Sequence, residues 1–174
     1  MSRAAHALLG LLIAACTGDE AGVVRSEPSP LLDPEAMRPV SADADPMVQH
    51  RPIAVSCSEG AWGPEAGGFE VQTGVCDYAA FAQPLGVELE PGDRVDIRIW
   101  HDTLDAAEAG TGHVAVLLGE HILWEQIVDI PTASAELGAI VEVSNSVPTD
   151  TPLGLHLHNH GYNSWRFFAV DLLD

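Results

Sequence analysis

Residues 95–101 read VDIRIWH, and this stretch decides the fold prediction. Val95, Ile97 and Ile99 alternate with residues that are polar or amphipathic. Successive side chains of a β-strand point to opposite faces of the sheet, so a period of two gives one apolar face. The stretch therefore predicts a half-buried strand whose valine and isoleucines face a core.

Similar short segments lie on both sides of this strand. Pro91 and Gly92 mark one turn, and Gly119-Glu120 suits a two-residue hairpin loop. Apart from a helical tendency over 103–109, no segment after residue 53 sustains a helical period. We therefore expect one all-β domain, an antiparallel β-sandwich of the jelly-roll kind. Its strands are predicted near 53–57, 68–72, 76–81, 85–89, 94–101, 113–118, 121–130, 138–144, 153–159 and 165–172.

The start of the chain has the pattern of an export signal. Arg3 supplies a positive charge, and an apolar run follows from Ala7 to Ala15. This run is shorter than the roughly 20 residues that a membrane-spanning helix needs. Residues 1–15 are therefore predicted to be a signal peptide.

Residues 12–16 read LIAAC and resemble the lipobox of bacterial lipoproteins. The resemblance implies cleavage before Cys16, lipidation of that cysteine and attachment to a membrane by the lipid. Thr17 follows the cysteine, which in Gram-negative lipoproteins resembles sorting to the outer membrane. The expected location is thus the cell envelope, at the outer membrane.

The charge of the chain excludes one class of partner. It contains 26 acidic residues, seven arginines and no lysine, with a formal net charge of −19. Nucleic-acid affinity comes from basic side chains on phosphates, so no nucleic-acid partner is expected. The acidic chain would repel anionic lipid head groups as well, so the lipid attached to Cys16 is expected to make the membrane contact.

Residues 16–51 are rich in proline and acidic residues and lack an apolar period. Such a composition favours a disordered linker, because it buries too little apolar surface to offset its ordering entropy. We therefore expect the folded domain to occupy residues 52–174.

Two cysteines remain after Cys16. In an exported chain Cys57 and Cys76 are expected to form a disulfide. A metal site built on the two thiols is the alternative.

Residues 155–161 read LHLHNHG and are the most unusual segment of the chain. On a strand the three histidines would share one face, and imidazole is the commonest protein ligand of Zn²⁺ or Cu²⁺. The segment resembles the His-x-His pair of cupins, although no glutamate follows at the expected distance. Solvated or structural histidines are the alternative. The candidate metal ligands are His156, His158 and His160, with His101 and His113 from neighbouring strands.

Residues 159–165 read NHGYNSW and resemble the closing segment of secreted β-sandwich domains of the carbohydrate-binding kind. That resemblance implies a glycan site with flat aromatic faces and amide groups. The alternative is that the aromatic rings fill the core. The candidate glycan-binding residues are Trp62, Tyr162, Asn163 and Trp165.

No catalytic motif stands out. The chain has neither a Gly-x-Ser-x-Gly elbow nor a His-Glu-x-x-His segment. We therefore predict no catalytic residues and no enzyme activity. The expected function is non-catalytic binding or structure at the cell envelope, with a glycan or an envelope protein as partner. Binding of zinc or copper is one alternative, and binding of glycans is the other.

Overall fold

The structure is a computed structural model that describes residues 27–173. The predicted signal peptide, Cys16 and residues 17–26 lie outside the described residues. Within 27–173, no helix is long and apolar enough to cross a membrane. The strands are β1 (Ser29–Pro30), β2 (Arg38–Pro39), β3 (Trp62–Glu65), β4 (Gly68–Gln72), β5 (Tyr78–Pro84), β6 (Arg94–His101), β7 (Gly110–Leu118), β8 (His121–Ile130), β9 (Ala135–Glu142), β10 (Pro152–Asn159) and β11 (Ser164–Leu173). Two short 3₁₀ turns occupy Ala42–Ala44 and Val48–His50.

The strands form two antiparallel sheets. The β11 sheet has the order β3-β4-β11-β6-β9, and β1 also pairs with β11. The β10 sheet has the order β2-β5-β10-β7-β8. The predicted fold class, an antiparallel β-sandwich, is confirmed.

The core lies between the two sheets and follows the alternation in the sequence. Val95, Ile97 and Ile99 of β6 are fully buried, as predicted. Leu155 and Leu157 of β10 face them from the other sheet and are nearly as buried. The histidines of β10 therefore point to the outer face of their sheet.

A bulge in β11 changes the side of the sheet that its residues face. Phe167 pairs with Ile99, but the next pair joins Ala169 to Arg98. Phe168 is the extra residue and is partly exposed. The alternation of a regular strand therefore breaks at this position.

Several predicted element boundaries were wrong. Residues 53–57 and 85–89 form no strands and contribute only isolated bridges at Cys57 and Leu89. Residues 103–109 form no helix. Strand β3 (Trp62–Glu65) was missed, because its glycine and proline hide the alternating pattern.

The predicted linker requires a larger correction. Residues 29–51 pack on the sandwich, and Leu31, Leu32 and Met37 belong to its main core cluster. β1 pairs with β11, and β2 pairs with β5. The few apolar residues of this segment are spaced without a regular period, which is why composition predicted a linker. The folded unit therefore begins well before residue 52.

Cys57 and Cys76 form the expected disulfide, with a sequence separation of 19 residues. The two cysteines also form an isolated antiparallel bridge. The covalent bond fixes the chain at the point where it leaves the N-terminal segment and approaches β5. A loop of this length contributes about 3 kcal/mol in the chain-entropy model.

Met37 tests whether the N-terminal segment belongs to the fold. Its side chain is 1% exposed, so Met37→Ala should lower the free energy of unfolding by about 2–5 kcal/mol. Val48, 52% exposed in the same segment, is the matched control, and Val48→Ala should change it by less than about 0.5 kcal/mol. Urea denaturation measures both. A negligible change in the free energy of unfolding for both variants would show that the segment is a linker and not part of the fold.

Candidate metal centre

Residues 41–51, here called the covering segment, lie on the outer face of the β10 sheet. Met47 is buried there in a small cluster with Ala115 and Leu117 of β7. In an isolated sandwich these side chains would face solvent, because their neighbours in β7 point into the core. The covering segment thus turns part of the outer face of the sheet into an interior.

The buried carboxylate of Asp45 fixes the position of the covering segment. Its Oδ2 accepts hydrogen bonds from the Tyr78 hydroxyl and from Arg51 Nη1, the latter at 3.0 Å. Its Oδ1 accepts one from the backbone N–H of Met47 at 2.9 Å. Arg51 also stacks over the Tyr78 ring at 5.0 Å. Burial and the Asp45 hydrogen bond raise the pKa of Tyr78, so its hydroxyl remains a donor.

Three histidines from separate elements meet beside this anchor. They are His50 of the covering segment, His113 of β7 and His156 of β10, and one ring nitrogen of each lies within 4.8 Å of the others. The His113 ring centroid lies 4.8 Å from that of His50 and 5.1 Å from that of His156. Among the described residues, these three form the one group of three or more histidine, cysteine, aspartate or glutamate side chains that lie close enough together to hold a metal ion.

The hydrogen-bonding state of two of the rings, those of His113 and His156, favours ligation. His113 Nε2 lies 2.9 Å from Glu125 Oε2, while its Nδ1 is buried and has no hydrogen-bond partner among the described residues. Both ring nitrogens of His156 are buried and equally without a partner. A carboxylate on one imidazole nitrogen orients the ring and makes the other nitrogen a better ligand. Glu125 is placed to do this for His113.

Burial keeps the His156 ring neutral. Burial and, after it, the neighbouring His113 lower the pKa of His156 to about 3, while Asp45 opposes the shift. Only the neutral imidazole has a lone pair available for a metal. His156 is therefore in the form that binds a metal throughout the physiological pH range.

The donor set suits zinc or copper. Imidazole nitrogen binds both ions, and in zinc sites the metal–nitrogen distance is about 2.0–2.1 Å. No thiolate is part of the cluster. An ion at that distance requires the three nitrogens to move closer together. His50 is exposed and can make most of this movement. Three protein ligands leave at least one coordination position free.

Two of the predicted histidines lie next to the cluster but outside it. His158 and His160 stack on each other with ring centroids 4.6 Å apart. His158 is half-buried against Tyr78, and burial together with His160 lowers the pKa of His158. His160 is exposed near the end of β10. The strand alternation therefore placed all three histidines on one side, but only His156 joins His50 and His113 in the three-histidine cluster.

His101 is a correction to the predicted ligand set. It lies on β6, in the β11 sheet, and its ring packs against Trp165 at 4.8 Å. Its Nδ1 lies 2.8 Å from the backbone oxygen of Asp102. His101 therefore fills the core, and the sandwich separates it from the outer face of the β10 sheet.

The predicted glycan-binding residues do not form one surface. Trp165 is fully buried and donates a hydrogen bond to Asn159, so it belongs to the core. Trp62 is half-buried against Phe81, with ring centroids 4.9 Å apart. Tyr162 and Asn163 are exposed on the loop before β11. Of the four, Tyr162 alone offers an exposed aromatic face.

Sequence reasoning missed His50 as a member of this cluster. It lies in a segment whose composition predicted a linker, and no motif connects it with β7 or β10. The only local signal was a histidine shortly after the apolar pair Met47 and Val48, and so short an apolar stretch does not indicate packing. Its proximity to His113 follows from the tertiary anchor at Asp45.

Solved structures with a similar outline include carbohydrate-binding modules. One, titled "CBM4 structure and function", is 13% identical over 68% of this chain and 77% of that chain, with a TM-score of 0.43. The CBM51 module of Clostridium perfringens GH95 in complex with methyl-galactose is 13% identical over 84% and 99%, with a TM-score of 0.42. The C-terminal CBM6 of the Zobellia galactanivorans laminarinase LamC is 16% identical over 79% and 99%, with a TM-score of 0.37. No protein-family model and no curated protein matches the chain.

The buried His156 predicts a pH dependence of the metal-free protein. Its pKa of about 3 in the folded state lies below the ordinary 6.5, so the unfolded chain binds a proton first as pH falls. The contribution of His156 to the free energy of unfolding is therefore fully present above pH 6.5 and decreases below it, by up to about 1.4 kcal/mol per pH unit. Urea denaturation with chelator between pH 7 and pH 5 measures this slope.

His156→Phe removes this titration and should flatten the slope. His121→Gln, which changes an exposed histidine on β8, is the control and should leave the slope unchanged. Identical slopes in the wild type and the His156→Phe variant would show that His156 titrates as it does in the unfolded chain.

Proposed function

We propose that this protein is a lipid-anchored protein of the cell envelope whose β-sandwich is a non-catalytic module for one zinc or copper ion. His50, His113 and His156 are its ligands. One observation carries the proposal. His113 and His156 each have a buried ring nitrogen without a hydrogen-bond partner among the described residues, and one ring nitrogen of each lies within 4.8 Å of the other and of one nitrogen of His50. Unpaired buried polar atoms are rare because each costs about 1–3 kcal/mol.

A bound ion would supply what these nitrogens lack. It would also join the covering segment to β7 and β10, since each of the three elements contributes one ligand. The ion is thus expected to stabilise the fold as well as to be carried by it. Binding of an ion to the folded state adds about 2.7 kcal/mol at a hundredfold excess over its dissociation constant.

The glycan alternative has less support from the described residues. Sugar rings stack on flat exposed aromatic faces, and of the predicted set Tyr162 alone provides one. Trp165 is unavailable because it is buried. No other feature of the described residues favours this alternative over metal binding.

Membrane attachment remains a proposal that rests on Cys16 and the residues around it. The acidic surface would be repelled by anionic head groups, which supports a lipid anchor over an electrostatic one. Two or three acyl chains anchor a protein stably, whereas one gives marginal binding.

The metal proposal predicts one ion per chain. Isothermal titration of chelator-treated protein with Zn²⁺ or Cu²⁺ should give a stoichiometry near one. His50→Ala should weaken binding at least about 10-fold, the lower bound for loss of even a supporting group. This variant is the decisive one, because His50 is exposed and its loss leaves the core intact.

Two further variants make the test specific. His121→Ala removes an exposed histidine away from the cluster and should bind the ion as the wild type does. Glu125→Gln removes the charge that orients His113 and should weaken binding about 10- to 100-fold. An affinity for the ion that is unchanged in His50→Ala, or that falls by the same factor in His121→Ala, would contradict the assignment.

The anchor proposal has its own test. Cells grown with labelled palmitate should incorporate label into the wild-type chain and into Thr17→Ala, but not into Cys16→Ala. The reason is that the sulfur of Cys16 is the expected acceptor of the lipid. Label of equal strength in Cys16→Ala would remove lipidation of this residue from the account.

A further inference from the structure

The outer face of the β10 sheet carries two more histidines than the metal cluster uses. His158 is the last but one residue of β10, and His160 directly follows the strand. Alternate residues of a strand point to one face, so both lie on the same side as His156. Their ring centroids are 4.6 Å apart. His158 and His160 are called the histidine pair below.

The spacing of the histidine pair fits two ligands on one metal ion. Imidazole nitrogens bind zinc at about 2.0–2.1 Å, which places the ring centres of two neighbouring ligands roughly 4.5–5 Å apart. The observed 4.6 Å lies in this range. His158 is held against the Tyr78 ring, with centroids 5.6 Å apart, whereas His160 is exposed and can turn towards an ion. The pair can therefore bind an ion without a change in the sheet.

His158 also connects the pair with the cluster. It is the cross-strand partner of His113 in the pairing of β10 with β7. Side chains at directly opposite positions of antiparallel strands have Cβ atoms about 4.5–5.5 Å apart and interact. An ion held by His158 is therefore next to a ligand of the cluster, and it can exchange one imidazole for another.

The exposure of these histidines increases from the cluster outwards. His156 is 1% exposed and His113 is 8% exposed, whereas His158 is half-buried and His160 is exposed. The net charge of −19 attracts cations to the surface of the protein. A cation that arrives at the end of β10 therefore meets His160 first and the buried rings last.

We propose that the histidine pair is a second, weaker metal site, through which zinc or copper enters and leaves the buried cluster. This proposal rests on the metal function proposed above for His50, His113 and His156. The pair binds more weakly because it has two protein ligands instead of three and is open to water. The cluster is therefore filled near one ion per chain, and the pair retains an ion only when the metal is in excess.

A calorimetric titration with Zn²⁺, continued into excess, tests the second site. The metal-free, full-length chain carrying Cys16→Ser, which cannot be lipidated, should show a tight phase and a weaker phase of one ion each. His160→Gln should weaken the second phase at least about 10-fold and keep the first, since it removes a ligand of the pair alone. His50→Ala should weaken the first phase and keep the second. His121→Gln, at an exposed histidine of β8, is the control and should change neither.

The rate of release tests whether the ion passes through the pair. Protein loaded with one equivalent of Zn²⁺ is mixed with the chelating dye pyridylazoresorcinol, and the absorbance of the zinc–dye complex is followed. His160→Gln should slow release about 10-fold, as a higher barrier on the path would. The affinity of the tight phase should stay unchanged, because a group on the path changes capture and release by the same factor. His121→Gln should release the ion at the wild-type rate.

The outcomes separate this proposal from the one on the cluster. A wild-type chain without a second phase, or a second phase unchanged by His160→Gln, would overturn the pair as a site. An unchanged rate of release in His160→Gln would show that the ion passes the exposed His50 instead, and would overturn the path. A weak phase that His160→Gln removes, without any tight phase, would contradict the function proposed for the cluster and leave the pair as a metal site.

Discussion

Asp45 is a negative charge buried in the outer layer of the protein, and this charge must be satisfied. Its donors come from Tyr78 on β5, from Arg51 and from the backbone of Met47. A buried carboxylate without them would be strongly destabilising. The hydrogen bonds therefore determine where residues 41–51 lie, and with them the position of His50. The cluster of His50, His113 and His156 depends on this placement.

The covering segment also explains the state of the histidines on the sheet. Without it, His113 and His156 would lie hydrated on an exposed outer face. Beneath it they are buried, and burial keeps the pKa of His156 far below its ordinary value. The neutral, desolvated imidazole of His156 therefore has a lone pair that a metal ion can bind. The fold thus produces the chemistry by covering one face of a sheet.

Much of the sandwich could be predicted from sequence, because its strands are half-buried and show a period of two. The burial of Val95, Ile97 and Ile99 follows from that period alone. The same rule placed His156 opposite Leu155 and Leu157, and hence on the outer face. Strand β3 escaped because glycine and proline interrupt its pattern.

The rest depends on contacts that no local pattern encodes. His50 lies 63 residues before His113 in a segment with the composition of a linker. Trp165 and His101 have the side chains of a binding site, yet both lie in the core, where each fills the space beside the other. Residue type indicates which chemistry a side chain can perform. Its surroundings in the fold decide whether the side chain is available.

X-ray absorption at the metal edge of the zinc-loaded, full-length protein tests the central claim most directly. The account predicts three imidazole nitrogens at about 2.0–2.1 Å, with the outer-shell scattering of the histidine rings. His50→Ala should reduce this to two. A spectrum with oxygen ligands alone, or one unchanged by His50→Ala, would show that the three histidines do not hold the ion.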